Sequence, residues 1–287
     1  MFGKDKEKNI VDIAKDFEAS SPTPEPDSGD YRPPVAADSS VPEVTHIKDA
    51  LASLLENVET KDTYVEFNLP SMGKFYKGYD KETIGVRPLK FSDEKRIQQS
   101  AVGDRALDAL NAVLASCLRG PNFMELTIPD KLYALYRLRQ ISYGSTYSFP
   151  QKCESCKKEN EINYELSSMK VDYLAGSPEE LLTVVLPDSK KTAVVKSLRV
   201  KDEDKMTSMK DVIQTLPDWI ERIEEHKDPN IISLFVEGTT VRDVAALRKA
   251  IYSPSYGMDS EYNFFCQDCG TKNEMNIGIN ANFFFTS

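Results

Sequence analysis

Four of the five cysteines in this 287-residue chain stand at two identical spacings, Cys153-x-x-Cys156 and Cys266-x-x-Cys269. Each C-x-x-C turn can present two thiolates to one ion, and two such turns facing each other complete a tetrahedral shell. The chain has only two histidines, His46 and His226, neither near a turn in sequence. The simplest complete ligand set is therefore Cys153, Cys156, Cys266 and Cys269 around one zinc ion. A fourfold thiolate shell leaves no position open for water or substrate, which makes the expected ion structural rather than catalytic. The competing readings are bare remnants of a former site, pairing with another subunit, and redox disulfides.

No other chemistry stands out. There is no phosphate loop, dinucleotide glycine fingerprint or nucleophile elbow. His46 and His226 read as surface residues, Trp219 as core, and Cys117 as a core residue on a helix face. Asn160, Glu161, Asn273 and Glu274, just beyond the cysteine turns, are expected to shape hairpins rather than act as acid or base. Phe149 and Tyr262, four residues before each first cysteine, are expected to pack around the turns, with base stacking as the sharper alternative. No active site is expected.

The elements that must position the cysteines occur twice. Residues 127 to 166 match residues 240 to 279 without gaps at ten of forty positions, an offset of 113. Thr127 and Asp130 answer to Thr240 and Asp243, a helix start whose hydroxyl can accept from an orphan backbone N–H. Ser142-Tyr143-Gly144 answers to Ser255-Tyr256-Gly257, and N-E-x-N follows both cysteine pairs. Upstream, VRPLKFSDEKRI (86 to 97) lies against VKSLRVKDEDKM (195 to 206) at an offset of 109, and each is preceded by Leu-Pro, at Leu69-Pro70 and Leu186-Pro187. The expected fold is α+β, a tandem duplication with halves at 62–172 and 178–287. Each half has a β-hairpin, helices and a knuckle hairpin (153–156 and 266–269), and the two share one zinc-ribbon-like site.

Within the first half, YVEFNLP and TIGVRPLKF read as a hairpin around the turn SMGKFYKG. Ser92 is expected to cap a short helix beginning DEKRI. Asp104 caps a longer helix with Leu107, Leu110, Leu114, Cys117 and Leu118 on one face. Pro129 opens another, with Leu132, Leu135, Leu138 and Ile141 as its apolar stripe.

Ahead of the body, residues 1–44 carry six of the sixteen prolines and ten Asp/Glu against five Lys/Arg. They read as a disordered acidic tether. A possible docking helix at 6–18 presents Ile10, Ile13, Ala14 and Phe17 at helical spacing, so Ile10, Ile13 and Phe17 are candidate partner-binding residues. An amphipathic helix is expected at 45–60. The net charge of −10 lacks the positive footprint of nucleic-acid binding. No stretch approaches the roughly 18 apolar residues of a membrane span, and the first residues lack a signal peptide's apolar run. Neither nucleic acid, membrane nor small-molecule substrate is an expected partner.

NLPSMGKFY followed by VRPLKFSDEKRI, and then knuckles of the form C-x-x-C-x-x-x-N-E, resembles the baseplate hub assembly proteins of T-even-type contractile-tailed bacteriophages over roughly residues 62 to 280. The resemblance implies a non-enzymatic role through contacts with other tail and baseplate hub proteins, as a virion component or as an assembly chaperone. It implies a location in the host cytoplasm during assembly or in the virion's tail baseplate. The long acidic tether departs from a minimal member. The alternative function is a zinc-ribbon nucleic-acid adaptor.

Overall fold

Two short antiparallel sheets, each made by the chain folding back after a Leu-Pro step, organise the protein. The computed structural model describes residues 63–100, 106–206, 213–279 and 281–284, together with Ser53. The chain divides into units Met1–Thr60 and Lys61–Ser287, and the elements below belong to the second. The tether, the docking helix with Ile10, Ile13 and Phe17, His46, and all but one residue of the 45–60 helix lie outside the described residues.

The first sheet pairs β1 (Val65–Asn68) with β2 (Thr83–Val86) in the register Phe67↔Ile84. The second pairs β7 (Thr183–Val185) with β8 (Thr192–Val195) in the register Val184↔Ala193. Both hairpins gain a third strand that the sequence pattern does not announce. β3 (Leu118–Arg119) lies against β2, and β9 (Ile220–Ile223) against β8. β2 and β8 stand 109 residues apart and bury their residues in the same pattern, because each is the central strand of its sheet.

The helices differ in detail from expectation. α1 (Phe91–Ser100) starts before Ser92, and Asp93 holds its first turn. The Asp93 carboxylate accepts from Lys90 N–H at 3.1 Å and pairs with the Arg87 guanidinium at 2.8 Å, both side chains being nearly buried. On α2 (Ala106–Cys117) the buried face is Leu110, Val113, Leu114 and Cys117. Leu107 is exposed, and Leu118 has left the helix for β3. α3 (Ile128–Tyr143) begins with Pro129 in its first turn, where a missing N–H costs nothing. Thr127, expected to cap it, makes no side-chain cap bond. Its hydroxyl and its N–H both engage the Tyr76 hydroxyl instead.

After α3 comes the hairpin of β4 (Thr146–Lys152) and β5 (Glu159–Glu165), then β6 (Val171–Asp172). The second series runs through α4 (Pro178–Leu182), the second sheet, α5 (Pro229–Gly238) and α6 (Val241–Tyr252). It ends with β10 (Gly257–Met258) and the hairpin of β11 (Glu261–Phe265) and β12 (Lys272–Asn276). Phe149↔Ile162 in one hairpin and Tyr262↔Met275 in the other keep the offset of 113 in both strands.

Each series sends an arm onto the other. β6 pairs with β10, Val171 opposite Met258. Phe283 and Phe284 are 0% and 1% exposed in the core around the first sheet. Burying two phenylalanines contributes about 1.5–3 kcal/mol apiece, enough to tie that arm down. A second core gathers Leu186, Trp219, Ile232, Leu247 and Ile251 under the second sheet.

The β1–β2 connection runs through fourteen residues and the β7–β8 connection through six, which is why the offset drops by eight within each sheet. Its first turn places Gly73 at φ 69°, where a Cβ would meet the Lys81 carbonyl oxygen at 2.2 Å. Lys190, with φ 61°, holds the matching place in the shorter turn. Gly73→Ala is expected to cost about 2 kcal/mol, through both the left-handed backbone and that clash. A calorimetric scan of the full chain should show melting lowered by several degrees, and an unchanged melt would refute the account.

Candidate metal centre

The four cysteines meet at the tips of the two knuckle hairpins. In the first turn Lys157 N–H donates to the Cys153 carbonyl at 3.0 Å and Cys153 N–H to the Lys158 carbonyl at 2.9 Å. In the second, Gly270 N–H donates to Cys266 and Cys266 N–H to Thr271, at 2.9 and 3.0 Å. The turn needs a left-handed residue after its second cysteine, supplied by Lys157 at φ 63° and Gly270 at φ 70°. This geometry aims both sulfurs of each turn the same way.

All four Sγ atoms lie within 4.8 Å of one another, Cys153 to Cys269 at 3.7 Å and Cys156 to Cys266 at 3.6 Å. A tetrahedron with Zn–S bonds of about 2.3 Å has sulfur–sulfur edges of about 3.8 Å, so the observed spacing fits one ion. Cys153 and Cys266 are buried, while Cys156 and Cys269 reach the surface.

The electrostatics prepare part of the set for a cation. The Cys266 thiol is held down to about 6, first by the Cys269 N–H and then, against burial, by the Asp268 N–H and the Asn160 amide. Cys153 is lowered in the same way, first by the Cys156 N–H. Cys156 is pushed up to about 12: the Lys158 N–H works to lower it, but burial and the sulfurs of Cys269, Cys266 and Cys153 outweigh that donor. Four adjacent thiolates without a cation repel one another, and a divalent ion would replace the retained protons.

Asn160 and Asn273, expected to shape their own hairpins, do so and also reach across. Asn160 Oδ1 accepts from Gln267 N–H at 2.9 Å, and Asn273 Oδ1 accepts from Glu154 N–H at 2.8 Å. Each buried asparagine thus holds the opposite knuckle, and these four residues are related pairwise by the offset of 113. Their neighbours Glu161 and Glu274 face solvent. An exposed Lys158–Asp268 pair at 2.5 Å also bridges the turns, and contributes little by itself. Behind the turns the Tyr164 and Tyr262 rings meet edge to face at 5.1 Å, and the Tyr147 and Phe149 rings lie 4.7 Å apart. Phe149 and Tyr262 pack against the core.

The family model described as T4 bacteriophage base plate protein matches residues 61–184. Over that span the chain is similar to the T4-type bacteriophage base plate proteins. The base plate match covers the first sheet, α1 to α3, the first knuckle and α4, and ends in β7, near the start of the second series. No curated protein and no solved structure matches the chain.

The remaining sequence candidates fall into place around this centre. Cys117 and Trp219 are buried in the first and second cores, and His226 is exposed. A second repeated feature lies outside it. Asp130 and Asp243, read in sequence only as helix-start residues, each hold the turn that follows a Leu-Pro step. Asp130 Oδ1 accepts from Ser71 N–H at 2.9 Å, and Asp243 Oδ1 from Asp188 N–H at 2.8 Å. The shared Thr-x-x-Asp spacing gives no hint of that partner.

Proposed function

We propose that this protein is a base plate protein, a non-enzymatic factor of the tail baseplate hub that acts as an assembly chaperone or a structural component through protein contacts in the host cytoplasm. The observation that carries the reading is the base plate family match over residues 61–184. Its body is a tandem duplication, 62–172 and 178–287, clipped by one structural zinc at Cys153, Cys156, Cys266 and Cys269. The duplication is supported by hairpins that keep one offset in both strands, and by reciprocal contacts from Asn160 and Asn273. The zinc is supported by four converging thiols with tetrahedral spacing.

A polar cleft of about 610 Å³, away from the cysteines, is one place where an enzyme reading could stand. Its carboxylate, Glu125, is held below the usual range first by the Lys201 ammonium and then by Arg199, at 2.7 and 2.9 Å. A carboxylate committed to two cations is a poor general base, which favours an ion-paired contact between elements over catalysis.

Affinity purification of the tagged chain from phage-producing cells, followed by mass spectrometry, tests the role. Tail hub proteins are expected to co-purify, and recovery of DNA-processing proteins alone would overturn the assignment. The candidate docking residues Ile10, Ile13 and Phe17 act in the same complex, and Ile13→Asp with Phe17→Asp should release a partner without changing the zinc content. Filter binding of the purified chain to duplex DNA and to RNA is expected to show no retention at any salt concentration. The reason is a net charge of −10 and knuckle lysines matched by acids, as Lys158 is by Asp268. Tight binding that weakens steeply with salt would instead establish the nucleic-acid adaptor.

A further inference from the structure

The two arms are not equivalent in what they fill. In the first series the Arg139 guanidinium lies over the rings of Tyr143, Tyr147 and Phe283, at 5.4, 5.1 and 5.5 Å. Phe283 also packs on Tyr136 and Tyr147, each at 4.9 Å between ring centres, and on Phe284 at 5.4 Å. This seat for two adjacent phenylalanines is closed. At the offset of 113, Arg139, Tyr143 and Tyr147 correspond to Tyr252, Tyr256 and Ser260. These three residues line an open, mainly apolar cleft of about 550 Å³, together with Met258, Ile277 and Ile279.

The arm that reaches this second place does not fill it. Where the second series sends Phe283 and Phe284, the first sends Lys170 and Val171. Lys170 turns to solvent and pairs with Asp172 at 3.1 Å, and Val171 is taken up by the backbone pairing with Met258. Loss of the large rings on both sides, Tyr147 becoming Ser260 and Phe283 becoming Lys170, leaves the space. Gly278 lies on its rim, and a Cβ added there would meet nothing within 4 Å.

We propose that this cleft is a docking site for a segment of another protein that presents two adjacent aromatic side chains. The filled counterpart defines the chemistry of the occupant, because the same framework holds Phe283-Phe284 on the other side. The occupant is foreign rather than a second copy, since the chain's own pair is buried in its own first seat. Apolar clefts of this volume, walled by aromatic and aliphatic side chains, suit anchor residues of a partner. The correspondence rests on the duplication proposed above. A failure of docking would leave the zinc stoichiometry, which tests that duplication, unaffected.

The probe is a fluorescein-labelled hexapeptide Asn-Phe-Phe-Phe-Thr-Ser, the sequence of residues 282–287, titrated with the full chain and followed by anisotropy. Saturable binding is expected, with affinity reduced about tenfold or more by Gly278→Trp, by Ser260→Tyr, or by alanine at the peptide's first two phenylalanines. Thermal melting of both protein variants should match the unaltered chain, which separates a filled cleft from a damaged fold. No saturable binding up to about 1 mM, the weak end of measurable affinity, would overturn the proposal. So would binding that ignores both cleft-filling variants, which would place the peptide in the first seat. Self-association that Gly278→Trp abolishes would also overturn it, by making the occupant a second copy.

Discussion

Cys156→Ser and Cys269→Ser, changes 113 residues apart, are each expected to remove the same single zinc ion. The unaltered chain should carry one zinc by mass spectrometry of metals, and each variant a background level. Two sulfurs from each hairpin complete the shell, and no set of three keeps it closed. Structural zinc contributes on the order of 10 kcal/mol in peptides that have no other core. Here two hydrophobic cores exist without it, so metal loss should cost roughly half of that, a fall in melting temperature of about 10–20 °C. The fall should be matched by added chelator. Acid should release the ion, because protons compete for thiolates. Asn273→Ala offers a finer check. It removes the acceptor of Glu154 N–H on the opposite knuckle, at a cost of about 1–2 kcal/mol, and should weaken zinc binding. Two ions per chain, or a Cys156→Ser protein that keeps its zinc, would break the shared site.

The parts of this arrangement that could be read in the sequence are those whose physics is local. A C-x-x-C turn is a self-contained chelate, and a repeated order of helix start, turn, cysteines and N-E-x-N is visible without knowing any contact. What stayed hidden depends on residues that meet only in the fold. β3 has two residues and follows α2 directly, so no alternation exists to betray it, and Leu118 reads as one more residue on the helix face. β9 lies in a charged stretch, where Glu221 and Arg222 mask the strand between Ile220 and Ile223. Phe283 and Phe284 carry no period, yet they complete the first core. Thr127 looks like a cap, but the longer β1–β2 connection brings the Tyr76 hydroxyl onto it. In each case a tertiary partner outweighs the local preference.

That longer connection also sets the two equivalent aspartates apart, and pH should expose the difference. Asp130 is buried beneath it, with its carboxylate held by Ser71 N–H and the Tyr76 hydroxyl, and burial raises its pKa above the ordinary 3.8. Its contribution to stability is therefore complete below about pH 4 and is lost as pH rises through the folded value. Asp243 sits at the floor of an open pocket beside Thr239 and Thr240. Burial raises it too, but the N–H groups of Asp188 and Ser189 and the Thr239 hydroxyl outweigh that and bring it down to about 2. Its contribution is present above about pH 4 and is lost as pH falls toward 2. Asp130→Asn keeps a neutral acceptor for Ser71 N–H and should be tolerated best at neutral pH and worst below pH 4. Asp243→Asn turns an NH2 toward one of two backbone donors and should be costly at pH 7, with the deficit shrinking in acid. Asp130→Ala orphans the buried Ser71 N–H and leaves the Tyr76 hydroxyl only its contacts with Thr127, a loss of about 2–3 kcal/mol. Urea unfolding of the three variants between pH 2.5 and 8 measures all of this. Parallel pH profiles for the two asparagine variants would show that the equivalent carboxylates share one protonation state, and that the longer loop does not alter the residue it covers.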